Sequence, residues 1–237
     1  MCFCWGQKRP IKKPTKNNIT FSFINKIGDQ TMVLDSTFTN SFNEPFSVFQ
    51  LKYYISNISF TDIAGKENKV VDSYFLIDEQ NADSKIFTVK TSSQTISAVN
   101  FYIGVDSLRN MSGVQTDALD PMNGMFWTWS TGYIMAKFEG TSPVSKAPMN
   151  RISFHIGGYK TGQNVAKKIS LPLLSPIDLT KENNVTVSIS ADLDKWFTGI
   201  TDIKFADVNF CMNPGELANK IAANYAAMFT IASVKAN

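Results

Sequence analysis

From Ile19 onward the chain is written in short runs where apolar and polar side chains alternate, as in Arg151-Ile152-Ser153-Phe154-His155-Ile156. A period of two puts every second side chain on one face of an extended strand, so these runs predict strands with one dry and one wet face. Helical periodicity is scarce. The pattern predicts strands at Ile19–Lys26, Met32–Asp35, Gln50–Ser59, Tyr74–Asp78, Ile86–Val89, Asn100–Val105, Phe126–Trp129, Tyr133–Glu139, Arg151–Ile156, Lys167–Leu171, Asn184–Ile189, Lys204–Asn209 and Met228–Ile231. Gly, Asn, Asp and Pro clusters separate them and no crossover helices intervene, which favours antiparallel pairing. The fold class expected is all-β: an antiparallel β-sandwich, immunoglobulin-like or jelly-roll-like, formed as one domain over residues 19–237.

Two short helices are expected towards the C-terminus. Asn213 is a candidate N-cap before Pro214, and Leu217, Ile221, Tyr225 and Met228 then fall on one stripe. Residues 191–197 read as a single turn whose Trp196 and Phe197 close the core.

Composition narrows the function. The chain has 237 residues, of which 43% are hydrophobic and 12% aromatic, enough to bury a substantial core and too many for a disordered chain. No apolar stretch reaches the ~18 residues needed to span a bilayer as a helix. The net charge is only +3, and arginine stands only at Arg9, Arg109 and Arg151, so neither a cationic surface nor bidentate phosphate recognition is indicated.

A single histidine, His155, restricts chemistry further, because any triad or histidine metal cluster must work through it alone. Cys2 and Cys4 sit at the extreme N-terminus and leave Cys211 without a partner, which argues against a disulfide scaffold and a Cys-x-x-Cys metal site. The opening Met-Cys-Phe-Cys-Trp-Gly resembles the end of a secretory signal with cleavage near Gly6, or a lipidation site at Cys2 or Cys4. Residues Lys8 to Asn18 carry cations and prolines without periodicity and read as a tether.

The densest unusual segment is Asp120-Pro121-Met122-Asn123-Gly124-Met125-Phe126-Trp127-Thr128-Trp129-Ser130-Thr131-Gly132-Tyr133. Its turn signals predict a hairpin, with Trp127 and Trp129 on one face. On Arg151–Ile156 the alternation puts Ile152, Phe154 and Ile156 inward and His155 on the opposite face. Imidazole and thioether suit copper, and Met111, Met122, Met125, Met135, Met149 and Met212 offer sulfurs. Methionine in a β-protein is more often core filler. Enzyme signatures are absent: there is no Gly-x-Ser-x-Gly elbow, phosphate loop, His-Glu-x-x-His or EF-hand loop. Asp72, Asp78 and Glu79, or Asp192 and Asp194, could pair as carboxylates, but near turns they read as solvated faces, and a non-enzyme is expected.

At these residues the sequence resembles the MbnP-like family, exported bacterial proteins named for a copper-binding member associated with methanobactin gene clusters. The resemblance rests on Phe49–Ile58, Val71–Asp78, Phe101–Val105, Met125–Tyr133, Glu139-Gly140 and Phe154–Gly157, which run in family order. It implies a β-sandwich in the periplasm or on the cell surface. It also implies copper bound by histidine together with a tryptophan oxidised to kynurenine by a partner dihaem peroxidase of the MauG type. Carried onto this chain, the candidates are His155 and either Trp127 or Trp129, with Met111 and Met125 as thioethers. A second histidine expected after the Gly104-Val105 strand is missing, since Asp106 to Met111 reads Asp-Ser-Leu-Arg-Asn-Met. Met111 would then stand in for imidazole. The rival expectation is a metal-free envelope-binding or adhesion module that uses the aromatic hairpin as its contact surface.

Overall fold

The computed structural model describes residues 16–113, 115–128 and 131–236. The first half forms β1 (Asn17–Ile27), β2 (Gln30–Thr31), β3 (Thr37–Thr39), β4 (Pro45–Thr61), β5 (Glu67–Lys69), β6 (Tyr74–Asp78), β7 (Ile86–Thr91) and β8 (Thr95–Ile103). A helical turn, α1 (Ser107–Asn110), precedes the hairpin β9 (Phe126–Thr128) and β10 (Gly132–Thr141). The chain then forms β11 (Arg151–Gly157), β12 (Lys167–Asp178), β13 (Asn184–Asp192), β14 (Phe210–Cys211), α2 (Glu216–Tyr225) and β15 (Phe229–Ala236).

Two sheets result, as the alternation predicts. The larger runs β12-β8-β4-β10-β11-β14, with β3, β5 and β6 also on β4 and β9 on β10. The smaller runs β15-β13-β1, with β7 and β2 sharing the other edge of β1. Their inner faces meet over Ile19, Phe21 and Phe23 of β1, Phe138 of β10, Ile152, Phe154 and Ile156 of β11, and Val185, Val187 and Ile189 of β13, all buried. Apolar burial on this scale, at ~25 cal/mol per Å² removed from water, is what holds the two layers together. Tyr53 also points inward, and its hydroxyl donates to Asn25 Oδ1 of β1 across the interface at 2.8 Å.

Some local expectations change. β1 and β13 pair in parallel, in register from Asn18–Asn184 to Lys26–Asp192, within a mostly antiparallel fold. Strands this far apart in sequence need no short crossover, because the rest of the sandwich is the connection. Met32–Asp35 is a turn rather than a strand, with Asp35 at φ 62°. Lys204–Asn209 is irregular because the buried Glu44 carboxylate takes the backbone N–H groups of Phe205 and Ala206, at 2.8 and 3.0 Å, away from any ladder. The helix starts at Glu216 with Gly215, not Asn213, as its N-cap. Its docking face is Ala218, Ile221, Ala222 and Tyr225, with Leu217 only partly covered. Trp196 and Phe197 close the core as expected, and Trp196 Nε1 donates to Met228 Sδ at 3.2 Å. β1 begins at Asn17, so Asn17 and Asn18 belong to the sheet and not to a tether. The signal-like segment with Cys2 and Cys4 lies outside the described residues.

Between β8 and β10 the described residues leave the sandwich and lie over the outside of the larger sheet. Tyr54, on the face opposite Tyr53, is buried beneath it and meets Tyr133 edge-on at 5.7 Å. The Tyr133 hydroxyl donates to the Leu119 carbonyl at 2.6 Å, which ties the excursion down. This second layer positions the site.

Candidate functional site on the outer face of the larger sheet

β10 pairs antiparallel with β11 on one side and with β4 on the other. The registers Asp78–Lys52, Lys52–Lys137 and Lys137–His155 therefore line up a row of ionisable side chains across four strands. Lys52 pairs with Asp78 at 2.9 Å. Lys137 is buried and donates to the Gly124 carbonyl at 2.6 Å, and burial pushes its ammonium below the ordinary lysine range, with Lys52 adding to the effect and Glu139 opposing it.

His155 ends the row. Its Nε2 lies 2.5 Å from Oε1 of Glu139, the residue two along β10 from its direct partner, with the side chains 13% and 22% exposed. The hydrogen bond from His155 is the largest of the effects that hold the Glu139 carboxyl below its usual range, ahead of the charges of His155, Lys137 and Arg151; burial acts in the opposite direction.

The indole arrives from the hairpin. β9 and β10 pair Thr128 with Gly132 and Phe126 with Tyr133, which leaves Trp127 half-buried between them. Its ring lies on Gly157: a Cβ at that position would stand 2.5 Å from Cζ3 and 2.9 Å from Cη2. Gly157 and His155 are two residues apart on β11, so alternation puts the surface that Trp127 covers on the same face as the imidazole. Only glycine leaves room for the ring there.

The match to known proteins is informative at this point. A family model described as MbnP covers residues 16–213. The chain belongs to the MbnP family. MbnP from Methylosinus trichosporium superposes on it with a TM-score of 0.50, covering 94% of this chain and 99% of that one. At 13% identity that likeness establishes a shared fold alone. No curated protein sequence matches the chain.

For this MbnP-family chain, the sequence candidates separate in space. Trp127 and His155 come to one face, whereas Trp129 lies outside the described residues. Met125 is fully buried in the apolar cluster, where its thioether packs. Met111 is 66% exposed after α1. The preceding Asn110 is tied to the start of β10 by its Oδ1, which accepts the Tyr133 N–H at 2.9 Å. Tyr133 is four residues from the partner of His155, roughly 13 Å along the strand, so Met111 is tied to the end of β10 where the Trp127 ring lies rather than to the position of His155.

A sulfur with a better address is Met212. β14 pairs in parallel with β11 through Ser153–Phe210 and Phe154–Cys211, and Met212, 41% exposed, follows directly on the end of that ladder. A two-residue parallel strand has no periodicity to reveal it. Cys211 turns inward beside Phe154, and burial raises its thiol pKa. Among the described residues no three His, Cys, Asp or Glu side chains gather to hold a metal ion. This face offers one imidazole and an aromatic ring, with the Met212 thioether just past the end of the β14 ladder, a soft set that fits a cuprous ion better than a hard cation.

The carboxylates considered as dyads are engaged elsewhere. Asp72 pairs with Arg109 at 2.6 Å, Asp78 with Lys52, and Glu79 with Lys85 at 2.6 Å while accepting from Asn25. Asp192 caps the turn at Leu193–Trp196, and Asp194 accepts from the Ser41 hydroxyl.

Proposed function

We propose that this chain is an exported, non-enzymatic copper-binding protein whose centre is built on His155, with Trp127 as its aromatic neighbour and Met212 as a thioether donor. The observation that carries the reading is the contact of the Trp127 ring with Gly157, which sets an indole on the face that bears the chain's one imidazole. Bound there, copper supplies a polarisable one-electron centre. The protein's share is to hold His155 through Glu139, to keep Trp127 against the sheet, and to screen that side from water with the Gly104–Met125 excursion.

Indole nitrogen is a poor ligand, and the family resemblance offers a remedy. A dihaem peroxidase using hydrogen peroxide would add two oxygen atoms across the indole C2–C3 bond as that bond breaks, with two molecules of peroxide reduced to water. Hydrolysis would then release the formyl carbon as formate, leaving kynurenine with an aromatic amine and a ketone. The half-buried edge of Trp127 is the substrate proposed for that step. Export is what the family resemblance implies.

The test is metal analysis with peptide mass mapping on protein recovered from the envelope of a host that exports it. Stoichiometric copper, lost in His155→Ala and reduced in Met212→Leu, is the expected result. Protein free of copper with Trp127 intact would overturn the reading. It would favour a metal-free envelope-binding module, for which the 62% exposed Phe210 and the Arg151 guanidinium stacked on Phe49 at 4.6 Å provide a contact surface.

A further inference from the structure

We infer that Glu139 is a positioning residue that holds His155 as its Nε2–H tautomer and leaves Nδ1 as the one free lone pair of the ring. This rests on the copper reading only for its use, since the assignment of the proton stands on geometry. A carboxylate accepts and cannot donate, so the nitrogen 2.5 Å from Oε1 carries the hydrogen. Neutral imidazole has one N–H, and the other nitrogen then keeps its lone pair. Nδ1 makes no hydrogen bond to a described residue. Glu139 in turn has no other hydrogen bond or ion pair among the described residues, because Lys137 is committed to the Gly124 carbonyl and Arg151 to the Phe49 ring.

The sheet explains why the residue is glutamate. Ser153 is the direct partner of Glu139, and His155 is its diagonal neighbour. Diagonal positions lie about 7–8 Å apart, within reach of a long side chain and beyond that of aspartate. A metal bound by this ring must therefore use Nδ1, whose basicity the carboxylate on Nε2 raises. Outer partners of this kind typically contribute roughly 10–100-fold to metal affinity.

Because His155 is the sole histidine, one spin system reports the whole arrangement. Full-length protein labelled with ¹⁵N-histidine and free of metal is examined by long-range ¹H–¹⁵N correlation at a pH where the ring is neutral. Wild type and Glu139→Gln, whose amide oxygen still accepts, should show protonated Nε2 and bare Nδ1. Glu139→Ala and Glu139→Asp should show averaging of the two tautomers. In competition with a chromophoric Cu(I) chelator, Glu139→Ala should bind about 10–100-fold more weakly, with Glu139→Gln between it and wild type. A wild-type Nδ1–H signal, or an unchanged tautomer in Glu139→Ala, overturns the inference. Unchanged Cu(I) affinity alongside a changed tautomer removes Glu139 from metal binding. Wild type that binds no Cu(I) while showing the assigned tautomer overturns the copper reading alone.

Discussion

Strand β10 has two faces that obey different rules. Inward, Phe138 packs edge-on or tilted against Phe197 at 5.2 Å, Trp196 at 5.8 Å and Phe46 at 6.2 Å, in a layer where hydrophobic area and volume decide stability. Outward, Lys137 and Glu139 stand in a half-dry layer where single polar contacts, to the Gly124 carbonyl and to His155, set the arrangement and the indole rests on a backbone. The first face is an average over many contacts. The second depends on a few single contacts, so substitutions there should move site properties more than stability.

The largest effect expected is on the inner face: Phe138→Ala should cost about 3–5 kcal/mol in denaturant unfolding, with copper binding following stability alone. A loss under 1 kcal/mol would show that the layers pack less tightly than their burial implies. Next, Gly157→Ala forces the Trp127 ring off the sheet, at about 1–3 kcal/mol. Its distinguishing mark is a change in Trp127 emission, read against Trp127→Phe; unchanged emission would place the indole elsewhere.

Glu139→Gln should be smaller and dependent on pH. The His155 hydrogen bond holds the folded-state carboxyl below its unfolded value, with the nearby cations adding to this, so its stabilisation is present above the usual carboxylate range and fades as pH falls through the depressed value. Melting curves of wild type and Glu139→Gln should therefore differ at neutral pH and converge in acid. Parallel curves would mean that the pair does not persist in solution. Smallest, and opposite in sign, is Tyr54→Phe. The Tyr54 hydroxyl is buried without a hydrogen-bond partner among the described residues, so removing it should leave stability unchanged or raise it by up to about 1 kcal/mol in thermal melts. A clear loss would reveal a partner for that hydroxyl.

Legibility in the sequence followed the same division. Ile152, Phe154 and Ile156 against Ser153 and His155 could be sorted by alternation, as could Trp127 within its hairpin, because which face a side chain takes is a local property of extended backbone. The turn-rich Met32–Asp35 and Lys204–Asn209 mimicked strands because apolar content alone does not say whether a backbone N–H finds a ladder or a carboxylate such as Glu44. Met111 and Met125 were candidate donors by type, yet one is tied to the Tyr133 end of β10, four residues from the partner of His155, and the other is sealed in the core. Glu139 was joined to His155 only through pairing across strands.

The sequence by itself determined that this chain is a β-sandwich, that His155 faces away from its core, and that any histidine chemistry has one ring to use. Tertiary structure alone decided what that ring meets and what shares its face: the diagonal Glu139 on its Nε2, and the indole over Gly157 two residues along the strand. The physical reason is that alternation is set within a few residues by backbone geometry. Register and adjacency between distant strands are set only when the whole core closes.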